Sequence, residues 1–423
     1  MSNKIDIVLG LQWGDEGKGK IADFLTPNYN AVARFQGGPN AGHSLKFNGK
    51  THVLNTIPSG IFHSECTNII GNGVVVDPVR IKAEIERVKA AGADVKKNLI
   101  FSKKAHIILP THRLLDAASE HAKGDSKIGS TLRGIGPTYR DKIGRNGLRI
   151  GDITSLDFIS KYEKIKTEHL KLIEFLGYTD FDIASLELEF FEACEYLKNF
   201  KLNNTEYLIN QMLPTQKILA EGAQGSMLDI DFGSYPYVTS NNTISGGACN
   251  GLGFAPCHVG QVYGIFKAYC TRVGSGPFPT ELLDEIGENL RQKGNEFGAT
   301  TGRPRRCGWL DLVALKYAIM LSGVNYLIMM KSDVLSEFDE VKVCTGYKLN
   351  GVFTNEVPYD LCNETVEPIY ESFKGWTEDL TICRQKTELP TNFLNYILFL
   401  EKELAMPIRI ISVGPDREQT IMS

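Results

Sequence analysis

The sequence predicts an α/β protein in which a large, mostly parallel central sheet is flanked by helices and accompanied by a helical subdomain. Short β-rich runs recur along the 423 residues, and helical patterns lie between several of them. Strands that alternate with helices in this way form parallel sheets covered on both faces. No stretch has the composition of a flexible linker, so we expect one large domain over residues 1–423.

Each predicted element follows from a local pattern. Strands are predicted at runs of β-forming residues, namely residues 5–9, 31–35, 68–77, 98–101, 106–109, 217–221, 263–269, 326–331 and 408–413. Helices are predicted from residue 21 onward and, at helical spacing of apolar residues, over 81–91, 155–176, 311–321 and 392–404. Gly92 and Gly177 mark two helix ends. Residues 155–213 are polar, poor in glycine and mostly helical, which predicts a helical insertion within the large domain.

Composition narrows the class of function. The formal net charge is -4, which argues against nucleic-acid binding because such proteins usually carry a basic excess. The nine cysteines are dispersed without a C-x-x-C pair, as is typical of free thiols in a reducing cytosol. The sequence has neither a signal-peptide pattern nor an apolar run near the roughly 20 residues of a membrane span. We therefore expect a soluble cytoplasmic protein with no nucleic-acid or membrane partner.

A glycine-rich segment follows the first predicted strand. Residues 14–20 match the first seven positions of the P-loop pattern G-x-x-x-x-G-K. A strand, glycine-rich turn and helix in this order hold phosphates through backbone N–H groups and the helix N-terminus. The next residue is Ile21, where a P-loop has a Ser or Thr that ligates Mg²⁺, and the loop instead contains Asp15 and Glu16. The sequence predicts a P-loop NTPase-like phosphate site whose metal ligand lies inside the loop.

Two further segments carry groups that suit anions. Residues 36–44 follow a predicted strand and contain Asn40 and His43, at the end of a strand where ligands bind in open α/β sheets. Histidine can donate a proton near neutral pH. Residues 126–149 combine six basic residues with one acid and five glycines, which favours an anion-binding loop over the alternative of a solvated surface loop.

Three later segments add specificity. Gln224 follows a predicted strand, where its amide can hydrogen-bond to the edge of a purine. Residues 297–306 contain three arginines within four positions, which suits carboxylates or phosphates, although a structural ion-pair cluster is the alternative. Lys331-Ser332-Asp333 resembles the K-x-D guanine element of GTP-binding proteins, with Met330 in place of the usual Asn. One carboxylate can accept both N1–H and the 2-amino group of guanine, and adenine offers neither donor there.

Together these groups offer contacts for a nucleotide, a second phosphorylated ligand and a small carboxylate. This combination predicts a GTP-driven ligase, in which GTP phosphorylates an oxygen of one substrate and an amine then displaces the phosphate. A GTP-dependent kinase acting on a purine nucleotide is the first alternative, and the third anion site argues against it. A regulatory GTPase that acts by binding partners is the second alternative.

The chain resembles the adenylosuccinate synthetase family over nearly its whole length. The motifs that carry the resemblance are residues 12–20 (QWGDEGKGK), 36–43 (QGGPNAGH), 133–137 (RGIGP), 221–225 (EGAQG), 276–281 (GPFPTE), 298–303 (GATTGR) and 411–416 (ISVGPD). Two positions depart from the family pattern: Pro39 stands where His is common, and Pro304 where Arg is common. The resemblance implies ligation of IMP and L-aspartate at the expense of GTP, by way of 6-phosphoryl-IMP, as the first committed step of AMP synthesis from IMP.

The resemblance also implies roles for individual residues. Asp15 would be the general base on IMP N1–H, and with the Gly42 carbonyl it would ligate one Mg²⁺ per subunit. His43 would donate a proton to the transferring phosphoryl group, with Lys18 and Gln224 completing the catalytic set. Arg145 would reach the IMP phosphate of a neighbouring subunit, which makes the active enzyme a homodimer.

The implied ligand contacts form three sets. The GTP contacts are Gly14, Asp15, Glu16, Gly17, Lys18, Gly19, Lys20, Gly42, Arg305, Lys331, Ser332, Asp333, Ser412, Val413 and Gly414. The IMP contacts are Asp15, Glu16, Gly17, Lys18, Asn40, Ala41, Gly42, His43, Thr131, Arg145, Gln224, Thr239 and Arg303. The aspartate contacts are Ala299, Thr300, Thr301, Gly302, Arg303, Pro304 and Arg305.

Overall fold

The computed structural model describes residues 4–124, 127, 129–298 and 302–422, and this part of the chain is built from both strands and helices. The strands are β1 (Ile5–Gly10), β2 (Ala31–Arg34), β3 (His43–Phe47), β4 (Lys50–Leu54), β5 (Thr67–Ile70), β6 (Val75–Val76), β7 (Leu99–Ser102), β8 (His106–Ile107), β9 (Lys201–Asn203), β10 (Ile218–Glu221), β11 (Val259–Lys267), β12 (Cys270–Arg272), β13 (Arg306–Gly308), β14 (Leu310–Asp311), β15 (Tyr326–Met330), β16 (Glu340–Leu349), β17 (Val352–Thr354), β18 (Val366–Lys374), β19 (Ile408–Ser412) and β20 (Thr420–Met422). The α-helices are α1 (Lys18–Leu25), α2 (Pro78–Ala90), α3 (Val95–Asn98), α4 (Pro110–Ala122), α5 (Ile135–Gly144), α6 (Phe158–Phe175), α7 (Ile183–Leu197), α8 (Thr205–Met212), α9 (Gly246–Leu252), α10 (Glu285–Lys293), α11 (Leu312–Ser322) and α12 (Thr391–Glu403).

Ten of the described strands form one sheet, in the order β20-β19-β15-β11-β1-β10-β2-β5-β7-β9. The paired neighbours are parallel except at the edge, where β19 and β20 run antiparallel. The prediction of a large, mostly parallel central sheet is confirmed. Because parallel strands end at the same edge, the loops after β1, β2, β10, β11, β15 and β19 all emerge on one side of the sheet.

The central strand β1 contributes to the core on both of its faces. Ile5, Ile7 and Leu9 belong to the largest apolar cluster, whereas Val8 packs with Ile21 of α1 on the opposite face. This alternation follows from the two-residue period of a strand. Burying each of these side chains stabilises the fold by roughly 1.5–3 kcal/mol. The packing of α1 on β1 keeps the helix N-terminus at the carboxyl edge.

Some sequence predictions of elements were wrong. The run 68–77 is split into β5 and β6 by a turn, where the backbone passes close to the chain at Gly251 (Gly73 N to Gly251 O, 3.0 Å). The segment 126–149, expected to be a loop, contains α5. The antiparallel sheet of β16, β17 and β18 was not predicted. The side chains of β18 are exposed or only partly buried on both faces, so this strand lacks the alternating apolar pattern.

Residues 155–213 contain α6, α7, α8 and the short strand β9. Strand β9 pairs with β7 and extends the main sheet, and Phe158 and Phe190 join the core that covers β7. The division into one domain with an inserted helical segment stays a prediction. None of the helices in the described ranges combines the length and the apolar character needed to cross a bilayer.

Two histidines share one buried carboxylate between α4, α5 and α6. The Nδ1 atom of His112 accepts a hydrogen bond from Leu109 N at 2.9 Å, so its Nε2–H donates to Asp141 Oδ2 at 2.9 Å. His169 Nε2 lies 2.8 Å from the same oxygen, and its Nδ1 lies 2.7 Å from the Thr111 hydroxyl. Although these ligand atoms are close enough together to hold a metal, their hydrogen bonds account for the cluster as a link between the helices.

We expect the free energy of unfolding to fall as the pH is lowered from about 6.5 towards 4. Burial lowers the pKa of His112 to about 4 from the usual 6.5. Over this interval the unfolded chain therefore binds a proton that the folded chain does not, and stability is lost as the pH falls. The loss amounts to at most about 3 kcal/mol, at roughly 1.36 kcal/mol per pKa unit.

Chemical unfolding at neutral and mildly acidic pH, compared with the His112→Gln variant, measures this loss. The variant should show a weaker pH dependence, although His106, whose pKa burial also lowers to about 4, still contributes in both proteins. An equal dependence in the two proteins would contradict the assignment.

Candidate active site at the carboxyl edge of the sheet

The phosphate loop between β1 and α1 is organised around a buried glutamate. Glu16 Oε1 accepts hydrogen bonds from Gly14 N at 2.8 Å and Gln12 N at 3.1 Å, and Lys18 Nζ donates to Glu16 Oε2 at 2.5 Å. Gly17 has φ 97 just before α1, and a Cβ on it would lie 2.9 Å from Met330 Cε. The positive φ favours glycine at this position, and the short distance shows that the loop packs directly against Met330 at the end of β15.

Asp15 lies in this loop with its side chain about a third exposed (32%). Arg305 Nε donates to Asp15 Oδ2 at 2.8 Å. The pair brings together two residues separated by 290 positions in the chain. The structure thus places the acid of the phosphate loop beside the arginine segment that the sequence predicts for anion binding.

His43 is the first residue of β3 and lies over the start of α1. A Cβ on Gly19 would lie 2.6 Å from His43 Cβ, so glycine is required for this approach. The Nδ1 atom of His43 lies 2.6 Å from Glu221 Oε1. The Glu221 carboxylate also accepts hydrogen bonds from Ser59 N at 2.8 Å and Ser59 Oγ at 2.6 Å. Burial lowers the pKa of His43, with Arg34 adding to the effect and Glu221 opposing it.

Lys20 connects the phosphate loop to the turn after β19. Its Nζ donates to Ser412 Oγ at 2.8 Å, Gly414 O at 2.8 Å and Gln419 O at 2.9 Å. An ammonium group has three donors, so all of them are used by the turn. Lys20 therefore holds Ser412, Val413 and Gly414 beside α1, and Val413 is itself fully buried.

The guanine-type segment begins directly after β15. Lys331 has φ 60, and its Nζ donates to Gly294 O and lies 3.3 Å from Glu296 Oε1. The Ser332 hydroxyl is buried without a hydrogen-bond partner among the described residues. Burial raises the pKa of Asp333, and the nearby Lys331 and Lys20 oppose that rise. An unpaired hydroxyl beside a half-buried carboxylate suits a ligand that offers hydrogen-bond donors.

The predicted nucleotide contacts after β2 and β10 meet each other. Gln224 Nε2 donates to Asn40 Oδ1 at 3.2 Å, and Gln224 Oε1 is buried with no partner in the described part of the chain. Asn241 Nδ2 donates to Thr239 Oγ1 at 3.1 Å. Ala41 lies between Asn40 and Gly42, and its carbonyl accepts from Asn55 Nδ2 at 2.7 Å. The amide pair leaves acceptor capacity free for a ligand.

The basic segment 126–149 meets two of the other loops. Arg303 Nη1 donates to Gly129 O at 3.2 Å, two residues before the exposed Thr131. Arg133 Nη1 donates to Pro39 O at 3.2 Å. Arg145 ends α5 with φ 64 and is exposed. Gly302 and Pro304 flank Arg303, whereas the predicted aspartate contacts Ala299, Thr300 and Thr301 lie outside the described residues.

Sequence reasoning missed two buried glutamates. Glu221 stands in a quoted motif, but its position beneath His43 depends on the pairing of β10 with β2. Glu296 is fully buried and pairs with Arg305, at 2.5 Å from Nη1. A lone glutamate in a polar turn carries no signal in the sequence, because such residues are usually solvated.

The comparisons with known proteins point to the same family over nearly the whole chain. The family model described as adenylosuccinate synthetase matches residues 7–421. Adenylosuccinate synthetase of Parabacteroides distasonis is 60% identical over 420 residues, covering 99% of each chain, and that of Flavobacterium johnsoniae is 59% identical over 419 residues, again covering 99% of each. A solved structure of fully ligated adenylosuccinate synthetase from Plasmodium falciparum has a TM-score of 0.91 at 38% identity and 100% coverage of both chains. The chain belongs to the adenylosuccinate synthetase family.

Proposed function

We propose that the chain performs the reaction of its family, the GTP-dependent joining of IMP and L-aspartate to adenylosuccinate, at the carboxyl edge of the main sheet. The products are adenylosuccinate, GDP and phosphate, and the reaction is the first committed step from IMP to AMP. The observation that carries this site assignment is the Asp15 carboxylate inside the phosphate loop, hydrogen-bonded to Arg305 at 2.8 Å and partly exposed. An ordinary phosphate loop has no need of an acid at this position.

In the proposed first step, Asp15 takes the proton from N1 of IMP. The electron pair moves onto the 6-oxygen, which attacks the γ-phosphorus of GTP. The bond between the γ-phosphorus and the oxygen that bridges it to the β-phosphate breaks, and GDP leaves. The 6-phosphoryl-IMP formed in this way has phosphate as its leaving group. Phosphoryl transfer depends on position and charge neutralisation, which Lys18, His43 and the backbone N–H groups of the loop supply.

In the proposed second step, the amine of L-aspartate attacks C6, the bond from C6 to the phosphate oxygen breaks, and the proton that the amine loses leaves with the phosphate. The carboxylates of aspartate would bind at the segment formed by Gly302, Arg303, Pro304 and Arg305. On the basis of the sequence, we extend this subsite to Ala299, Thr300 and Thr301. The guanidinium of Arg303 suits a carboxylate because its planar fork donates two parallel hydrogen bonds. IMP would meet Asn40, Gln224, Thr131 and Thr239.

The donor set also suits one Mg²⁺ per subunit. Asp15 offers a partly exposed carboxylate, and Gly42 offers a backbone carbonyl. Oxygen ligands of this kind, few in number and completed by water and phosphate, are the ones that Mg²⁺ prefers. We propose that these two residues hold the ion, which would neutralise charge on the phosphates of GTP.

Two features of the molecule support further proposals about its assembly and location. Arg145 is exposed at the end of α5 and so is accessible to a neighbouring subunit. From the family resemblance we propose a homodimer in which Arg145 reaches the IMP phosphate of that subunit. All nine cysteines lie in the described ranges as free thiols, which supports a cytoplasmic location. Sedimentation of the wild-type protein and of Arg145→Ala tests whether the protein is a dimer. The KM for IMP of the variant tests whether Arg145 contacts IMP.

An omission assay tests the reaction. GDP release is measured with Mg²⁺, GTP, IMP and L-aspartate together and with each component left out, and the product is identified by ultraviolet spectrum and mass. We expect release only when all the substrates are present. Release with GTP and IMP alone, yielding a stable phosphorylated nucleotide, would favour a kinase, and release with GTP alone would favour a regulatory GTPase.

The Glu221→Gln variant should lower kcat by about 10-fold to 100-fold and leave the KM for GTP within about threefold. Hydrogen bonds from a charged group contribute roughly 1.5–3 kcal/mol, and the carboxylate both orients the His43 ring and favours its proton-donating form. The Glu221 carboxylate hydrogen-bonds to His43 and Ser59, and neither is an expected GTP contact, so the KM for GTP should change little. Ser59→Ala, which removes one donor to the same carboxylate, is the matched control and should keep most of kcat. A rise in the KM for GTP at unchanged kcat would contradict this role.

A further inference from the structure

A fully buried glutamate lies between the arginine segment and the guanine-type segment. Glu296 is 0% exposed and accepts from Lys267 Nζ, which lies 3.0 Å from each carboxylate oxygen. Tyr269 OH donates to its Oε1 at 2.5 Å, and Arg305 Nη1 donates to its Oε2 at 2.5 Å. Lys331 Nζ lies 3.3 Å from Oε1. We refer to these five residues as the Glu296 cluster.

The Glu296 cluster joins parts of the site that are far apart in the chain. Arg305 uses Nη1 for Glu296 and Nε for Asp15, so a single guanidinium bridges the two carboxylates. Lys331 is the first residue of the guanine-type segment Lys331-Ser332-Asp333. Lys267 ends β11, which lies between β1 and β15 in the sheet. Its backbone N donates to Gln12 Oε1 at 2.9 Å, which connects the cluster to the phosphate loop as well.

The negative charge of the buried Glu296 carboxylate is compensated by nearby cations. Three cations surround one carboxylate, and Lys267 and Glu296 are both 0% exposed. Burial acts to raise the pKa of Glu296, but Lys267, Lys331 and Arg305 together hold it well below its usual range. A carboxylate that stays ionised keeps both oxygens as acceptors. It can therefore hold Arg305 and Lys331 at the same time and in fixed directions.

We infer that Glu296 is a positioning residue that couples guanine recognition to the acid of the phosphate loop, by holding Lys331 on one oxygen and Arg305 on the other. The inference rests on the proposed roles of Asp15, Arg305 and Lys331. When a ligand occupies the Asp15 carboxylate, Arg305 keeps its contact with Glu296 through Nη1, and its Nε becomes available to a phosphate oxygen. The direction in which Arg305 then points is set by Glu296.

Kinetics of two variants test this coupling. Glu296→Gln keeps the size of the side chain but removes its charge, so it loses one of the two acceptor oxygens that hold Arg305 and Lys331. We expect about a tenfold or larger rise in the KM for GTP and about a tenfold or larger fall in kcat, with the KM for IMP within about threefold because Arg305 and Lys331 are not among the expected IMP contacts. Glu296→Asp keeps the charge but shortens the reach, and it should raise the KM for GTP by a smaller factor.

The matched control is Glu281→Gln. Glu281 pairs with Arg306, the next arginine of the same segment, at 2.7 Å from Nε, and it touches neither Asp15 nor Lys331 among the described contacts. We expect it to leave the KM for GTP within about twofold. Equal changes in Glu281→Gln and Glu296→Gln would show that any lost ion pair in this segment has the same effect, and this would overturn the inference.

The experiments distinguish a loss of folding, a failure of the inference and a failure of the proposed function. Removing the charge of Glu296 leaves buried cations uncompensated, which destabilises folded proteins strongly, so Glu296→Asp decides the matter if Glu296→Gln does not fold. Unchanged kcat and KM for GTP in Glu296→Asp would overturn the inference. Binding of GDP, measured by calorimetry without turnover, provides a second readout. If wild-type protein fails the omission assay, the proposed function fails, whereas weaker GDP binding in the Glu296 variants would still support the positioning role.

Discussion

Asp15→Asn is expected to lower kcat for adenylosuccinate formation by about 10²–10⁴-fold, the range that general-base catalysis contributes. The asparagine has the shape of the aspartate and can still accept a hydrogen bond from Arg305, but it cannot take the proton from N1 of IMP. The KM for IMP should change much less than kcat, because the lost interaction belongs to the transition state. Steady-state rates at saturating GTP and aspartate measure the effect.

The matched control for this variant is Asp180→Asn, since Asp180 is exposed and remote in sequence from the phosphate loop. It should retain full activity. Thermal unfolding of both variants checks that the fold is intact. Activity of Asp15→Asn within about threefold of the wild type would show that another group removes the proton, and the base would then have to be sought elsewhere.

The Asp333→Asn variant should reduce the preference for GTP over ATP by roughly 10-fold to 100-fold, because hydrogen bonds to a charged group contribute about 1.5–3 kcal/mol. The aspartate carboxylate can accept both N1–H and the 2-amino group of guanine. The asparagine amide accepts at one atom and presents donors at the other, opposite a guanine donor. The ratio of kcat/KM values for GTP and ATP measures the change.

Asp339→Asn serves as the control, because Asp339 is exposed and lies six residues further along the chain. The kcat of Asp333→Asn at saturating GTP should remain close to the wild-type value, since the guanine base takes no part in the chemistry. An unchanged ratio of GTP to ATP would count against the guanine role of this segment, even if overall activity fell.

Individual residues show how far sequence reasoning reaches. Asp15, Lys18 and His43 stand in motifs whose spacing already indicates phosphate chemistry, so they could be proposed without a fold. Glu296 could not, because its role follows from Lys267, Arg305 and Lys331 converging on it from other segments. For Lys20 the two sources differ. The P-loop pattern predicts that Lys20 contacts a phosphate, whereas in the structure its three donors hydrogen-bond to the turn after β19.

The sequence alone determined the α/β class, the phosphate loop and the family, because these depend on local periodicity and on the spacing of residues within single segments. The tertiary structure decided which segments meet. The order of strands places β1 between β10 and β11, and it brings the loops after six parallel strands to one edge. Strand order depends on long-range pairing and on the packing of the helices, neither of which leaves a pattern within any one segment. For this reason the Asp15–Arg305 pair, the carboxylate beneath His43 and the Glu296 cluster became visible only in the folded chain.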